Sequence, residues 1–67
     1  MNKWRLLEAI DRAGYSQRSL AKELGISKNT INNKVNGRVP FTTTDIATLC
    51  EKLKITEMND RAEIFLS

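Results

Sequence analysis

The sequence predicts an all-α fold, a compact bundle of four to five helices. Three observations carry that expectation. A hydroxyl residue with an apolar residue before it marks a helix start three times, at Tyr15-Ser16, Ile26-Ser27 and Phe41-Thr42. A glycine follows a periodic stretch three times, at Gly14, Gly25 and Gly37. Between these marks the apolar residues recur at helical spacing.

The first helix is expected over residues 3–13. Leu6, Ile10 and Ala13 form its apolar stripe, with Leu7 beside it. Trp4 lies at the flank of that stripe and is expected to cover the end of the core near the C-terminal segment. Gly14 ends the helix, because a residue without a Cβ turns left-handed at little cost.

The second helix is expected over 17–24, with Leu20, Ala21 and Leu24 facing inward. Ser16 caps it by accepting a hydrogen bond from a free backbone N–H. Tyr15 is placed to pack on Leu20, as a hydrophobic staple. The third helix, 28–36, repeats the device with Ser27 as cap and Ile26 on Ile31. The fourth, 43–54, repeats it with Thr42 as cap and Phe41 on Ile46. Asp45, three residues after Thr42, adds a capping box. Ile46, Leu49, Cys50 and Leu53 follow the i, i+3, i+4, i+7 pattern. A short fifth helix is expected over 60–65.

A chain of 67 residues has room for one domain, 1–67, with one core and no deep pocket beside it. Such a domain buries about 60% of the surface its unfolded chain exposes. No small-molecule ligand or cofactor is expected. There is one cysteine and no histidine. That leaves no intramolecular disulfide, no usual zinc ligand set and no base for Ser-His-Asp or Cys-His chemistry. No metal and no enzymatic activity are expected, and Cys50 reads as a small buried hydrophobe. No apolar run nears the roughly 20 residues of a membrane span, and the N-terminus does not lead into a signal-peptide stretch. A cytoplasmic protein is expected.

The net charge is +3, unevenly spread. Residues 1–40 carry eight Lys/Arg and three Asp/Glu, a balance of +5. Residues 41–67 carry three Lys/Arg and five Asp/Glu, a balance of −2. A field of this kind steers a polyanion to one face.

The joint between the second and third helices lies in the basic half. Ala21 lets another helix cross closely, Gly25 supplies a sharp turn, and Ile26 and Ile31 fasten the third helix to the core. Two helices joined by about three residues make a helix-turn-helix, here over 16–36. The third helix reads Lys28-Asn29-Thr30-Ile31-Asn32-Asn33-Lys34-Val35-Asn36. Asn is a poor helix former, yet three lie inside and a fourth at the end. Ile31 and Val35 face the core. Asn29, Asn33 and Asn36 point to the opposite side, with Asn32 next to them. Asn pairs bidentately with adenine in a major groove, and Lys28 reaches guanine or a phosphate. Lys28, Asn29, Asn32 and Asn33 are therefore the candidate base readers. Gln17, Arg18, Asn36 and Arg38 flank the helix as candidate phosphate contacts, near free N–H groups at the start of the second helix.

The run from Gln17 to Ile31, closing with Asn36-Gly37, resembles the phage repressor and Cro family, the Xre-type helix-turn-helix. The resemblance implies a lambda-repressor-like DNA-binding domain. It implies that Gln17 contacts a phosphate and braces the first recognition residue. It places Lys28, Asn29 and Asn33 at base edges, and Asn36 and Arg38 at phosphates. The ending Arg61 to Leu66 is similar to small regulators of phages of Gram-positive bacteria. Two departures stand out. Family members often carry a hydrophobe where this chain has Lys34 and a Glu where it has Val35, which bears on how Asn33 and Asn36 are presented. The family's buried partner of that Glu is an Arg at the position of Ile10. Both partners here are aliphatic, a swap that costs little when both ions are replaced together.

The function expected is a sequence-specific transcriptional regulator of phage or prophage type. It would bind a palindromic double-stranded DNA operator as a homodimer, weak in solution and firmer on DNA. The acidic C-terminal half is the expected dimer contact: part of Ile64-Phe65-Leu66 should close the core against Trp4 and Leu7, and part should remain for a partner. The alternatives are a protein-interaction module, such as an antitoxin or adaptor on the same fold, and the N-terminal head of a longer repressor.

Overall fold

Residues 1–55 and 58–66 are described by the computed structural model. Among them run α1 (Lys3–Arg12), α2 (Gln17–Leu24), α3 (Lys28–Val35), α4 (Thr43–Lys52) and α5 (Met58–Phe65). The three expected caps are in place. Ser16 Oγ accepts from the Ser19 N–H at 3.1 Å, Ser27 Oγ from Thr30 at 3.1 Å and Thr42 Oγ1 from Asp45 at 3.0 Å. Asp45 returns the bond, accepting from the Thr42 N–H at 3.0 Å. Two further caps went unread in the sequence. Asn2 caps α1 through the Arg5 N–H, and the Ser19 hydroxyl accepts from the Ser16 N–H at 2.8 Å. Tyr15, Ile26 and Phe41, each preceding a cap, pack against the core.

The ends of α1 to α4 share one geometry. After α1, Gly14 N–H donates to Asp11 O and Tyr15 N–H to Ile10 O. After α2, Gly25 donates to Lys22 O and Ile26 to Ala21 O. This paired arrangement is the Schellman motif, which needs one left-handed residue. Gly14, Gly25 and Gly37 supply it with φ of 83°, 70° and 79°.

α4 closes in the same way two residues earlier than the sequence suggested. Lys54 N–H donates to Glu51 O and Ile55 N–H to Cys50 O. Lys54 takes the left-handed position at φ 57°. No glycine marks this stop, so the apolar periodicity carried the expected helix through to 54. At the other boundaries α1 and α3 each end one residue early, with Ala13 and Asn36 as their C-caps, and α5 starts at Met58 rather than 60.

The core joins Leu6 and Ile10 of α1, Leu20 and Ala21 of α2, Ile31 and Val35 of α3, Leu49 of α4, Leu53, and Ile64 of α5. Cys50 is buried as a free thiol. α5 is tied to α1 by a bond from Asn2 N–H to Ile64 O at 2.6 Å and by the Arg5–Glu63 ion pair at 2.9 Å. Phe65 meets Phe41 edge to face, with ring centroids 6.2 Å apart.

Trp4 departs from expectation. It does not cover the core but stands 73% exposed, with Lys3 Nζ 5.2 Å from its ring centroid. At 100° per residue it lies roughly 160° around α1 from Leu6, on the side of Glu8 and Asp11. Ile64 and Phe65 close that end of the core instead. No helix of the described residues is long and apolar enough to cross a membrane.

Two stability predictions arise from these contacts. Lys54→Gly removes the steric cost of a left-handed Cβ and should stabilise the fold by about 1 kcal/mol, read as a higher urea midpoint. Ile10 and Val35 are both buried in the one core. Ile10→Arg alone should therefore cost about 3–5 kcal/mol, as an uncompensated buried charge does. Adding Val35→Glu should recover much of that loss in the same denaturation series.

Candidate nucleic-acid interface

α2 and α3 are joined by Gly25, Ile26 and Ser27. Ala21 is almost fully buried at the crossing, where a larger side chain would push the helices apart. α3 gives the core only Ile31 and Val35. Everything else on it is polar, and the polar side chains fall into two groups.

Lys28 and Asn29, in the first turn, are exposed. Among the described residues neither side chain has a hydrogen-bond or ion-pair partner, so both have their full bonding capacity for a ligand. The asparagines further along are engaged within the protein. Asn32, half-buried, donates to Gln17 Oε1 at 3.4 Å. Asn36 Nδ2 reaches back to the Asn32 carbonyl at 2.9 Å and to its Oδ1 at 3.1 Å. Gln17, Asn32 and Asn36 thus form one polar chain between the start of α2 and the end of α3. Asn33 Oδ1 accepts from the Arg38 guanidinium at 3.3 Å, and its amide N–H groups remain available. The residue that Gln17 meets is therefore Asn32, not Lys28 at the head of the helix. Arg18 is exposed in the first turn of α2 and Arg38 beyond the end of α3.

The end of α3 is a Schellman motif with a difference. Gly37 N–H donates to Lys34 O and Arg38 N–H to Asn33 O. In this motif the residue after the glycine normally makes an apolar contact back onto the helix. Tyr15, Ile26 and Ile55 fill that position at the other ends and pack on the core. Arg38 fills it here and bonds to the Asn33 side chain instead, so a charged group lies beside the polar face.

One contact the sequence reading missed joins α3 to α4. Lys34 Nζ meets Asp45 Oδ2 at 2.5 Å. The two side chains are only 13% and 23% exposed. Burial alone would raise the Asp45 pKa. The Lys34 ammonium and the Thr42 donors outweigh it and hold the carboxyl below its ordinary value. The available signal was a lysine bordering the apolar stripe and an aspartate at the third position of the next helix. Their pairing across 11 residues is tertiary and has no local signature.

Among the described residues no three His, Cys, Asp or Glu are grouped to hold a metal ion. A cleft of about 430 Å³ lies between α1, the end of α4 and α5. It is open and lined by both signs of charge, and none of the candidate contact residues of α3 lines it.

A family model described as helix-turn-helix matches residues 6–58, which includes all of α2 and α3. No curated protein and no solved structure gives a significant match to the chain.

The depressed Asp45 pKa fixes the sign of a pH dependence. Its stabilisation is fully present above the unfolded carboxylate value of about 3.9 and is lost as pH falls through the lower folded value. Urea midpoints should fall as pH is lowered below about 4. Asp45→Asn should flatten part of that fall.

Proposed function

We propose that this chain, which belongs to the helix-turn-helix family and so to a class of DNA-binding transcription regulators, reads a specific DNA site with the first turn of α3. The observation that carries the reading is the pair Lys28 and Asn29, exposed and without side-chain partners among the described residues, on a helix whose inner side is anchored by Ile31 and Val35. Asn29 offers adenine a bidentate amide, and Lys28 offers guanine or a phosphate an ammonium. Asn33 adds donors to the same face. Asn32, engaged by Gln17 and Asn36, braces the face and has one N–H left for a base edge.

Gln17, Arg18, Asn36 and Arg38 surround α3 as the phosphate-contacting set. They would set the register on the duplex without carrying sequence information. The finer reading is a regulator of phage type on a palindromic operator, supported by the resemblance to phage repressors and Cro. A single recognition helix covers too few base pairs for useful selectivity. Two copies on half-sites about 34–36 Å apart would supply it. Leu66 and Met58 are exposed apolar side chains of the acidic C-terminal half that support a weak self-contact there. Phe65 packs on Phe41 and is chiefly a core residue.

Selection from a random DNA pool tests the main claim, and recovery of no consensus would overturn it. On the selected site, Asn29→Ala should cost about 1–3 kcal/mol and relax preference at one base pair. Arg38→Ala should weaken specific and non-specific DNA alike and lower the salt slope by about one. For the dimer, sedimentation with operator should show two copies. Leu66→Ala should weaken that pairing with the fold intact, whereas Phe65→Ala should lower the unfolding midpoint.

A further inference from the structure

We infer that Lys34 is a positioning residue: its ion pair with Asp45 fixes the rotation of α3 about its own axis, and with it the aim of the base-reading face. The inference rests on the DNA-reading proposal above and adds a role that a lysine in a recognition helix would not ordinarily be given. A cation at that place in a sequence reads most simply as a phosphate contact. The geometry assigns it inward.

The apolar grip on α3 is narrow. Ile31 and Val35 lie about 40° apart around the helix at 100° per residue, so together they resist displacement better than they resist rolling. Two polar contacts flank them. Asn32, on one side of the stripe, is held by Gln17 of α2. Lys34, on the other side, is held by Asp45 of α4. Both lie roughly 80° from the middle of the stripe. They act on opposite sides of the axis, where a small force has the greatest leverage against rotation.

The stronger of the two is Lys34–Asp45. It is charge-assisted and mostly sheltered from water. Its carboxylate is itself anchored: Asp45 Oδ2 also accepts the Thr42 N–H, and Thr42 Oγ1 holds the Asp45 N–H. The aspartate is therefore fixed to the first turn of α4 before Lys34 reaches it. A roll of α3 by about 10° would carry a side-chain tip at roughly 6 Å from the axis through about 1 Å. That is enough to spoil a bidentate contact, which needs both donor–acceptor distances near 3 Å. Phosphate contacts made by long flexible cations would absorb the same shift.

This asymmetry supplies the test. Lys34→Met keeps the apolar stem and leaves Asp45 with its Thr42 donors. With the full chain, affinity for the selected site should fall roughly five- to tenfold, part of what one bidentate pair supplies. Affinity for random DNA and its salt slope should not change. Lys34→Arg should recover most of the loss. Asp45→Asn should lower the specific affinity as well. All binding is measured at a temperature where each variant is fully folded by circular dichroism.

A drop in the salt slope by about one for Lys34→Met would make Lys34 a phosphate contact and overturn the inference. So would a lower unfolding midpoint with an unchanged ratio of specific to random affinity, which marks a purely structural role. If the unaltered chain selects no site, the functional proposal fails, and the side-chain amide resonances of Asn29 and Asn33 still decide whether the Lys34–Asp45 pair positions α3. They should shift in Lys34→Met and return in Lys34→Arg, and resonances that stay in place overturn it.

Discussion

Ile31 and Val35 are the only apolar purchase the core has on α3, and the arrangement of the whole molecule follows from that narrow grip. A helix that spends one face on the core and the rest on polar groups gains little from burial. Two aliphatic side chains contribute about 1.5–3 kcal/mol each, and three internal asparagines work against the helix. The missing stability must come from its ends and flanks. Ser27 caps the start, Gly37 and Arg38 close the end, and Gln17 and Asp45 hold the sides. A recognition helix built this way is marginal alone and well determined in place.

The parts of the fold legible in sequence are those decided within one turn of chain. Ser16, Ser27 and Thr42 announced their caps because the acceptor and its N–H are three residues apart. Gly14, Gly25 and Gly37 announced their stops because only the left-handed region requires them. Lys54 occupies that same region without being glycine, and so the end of α4 was overrun. Trp4 differs for another reason: the helical period sets it nearly opposite Leu6, so it faces solvent, while Ile64 and Phe65 of α5 fill the end of the core.

The candidate site divides along the same line. That α3 presents an amide face was legible from the spacing of Ile31, Val35 and the asparagines around them. Which asparagines are already engaged was not, because the partners Gln17 and Arg38 belong to neighbouring segments. That Ile10 and Val35 would both be buried was legible as a pattern, and both are. The ion pair that Lys34, one residue away, makes with Asp45 of α4 was not.

Charge counted from sequence also changes meaning once its partners are known. The basic half holds eight cations. Arg5 is paired with Glu63, Arg12 with Glu8 and Lys34 with Asp45, while Lys3 lies over the Trp4 ring. Arg18, Lys22, Lys28 and Arg38 have no ion pair among the described residues, and all four lie on α2, α3 or the loop after them. A cation paired with a carboxylate is largely offset at a distance, whereas Lys3 over the Trp4 ring keeps its charge. The cations of the basic half that lack an ion pair are thus concentrated on the helix-turn-helix. So few free cations give modest non-specific attraction to a polyanion. Discrimination then falls on the directional groups, Lys28 and the asparagines, and on whatever keeps them aimed. That is why the fold holds α3 on both flanks and leaves its first turn open.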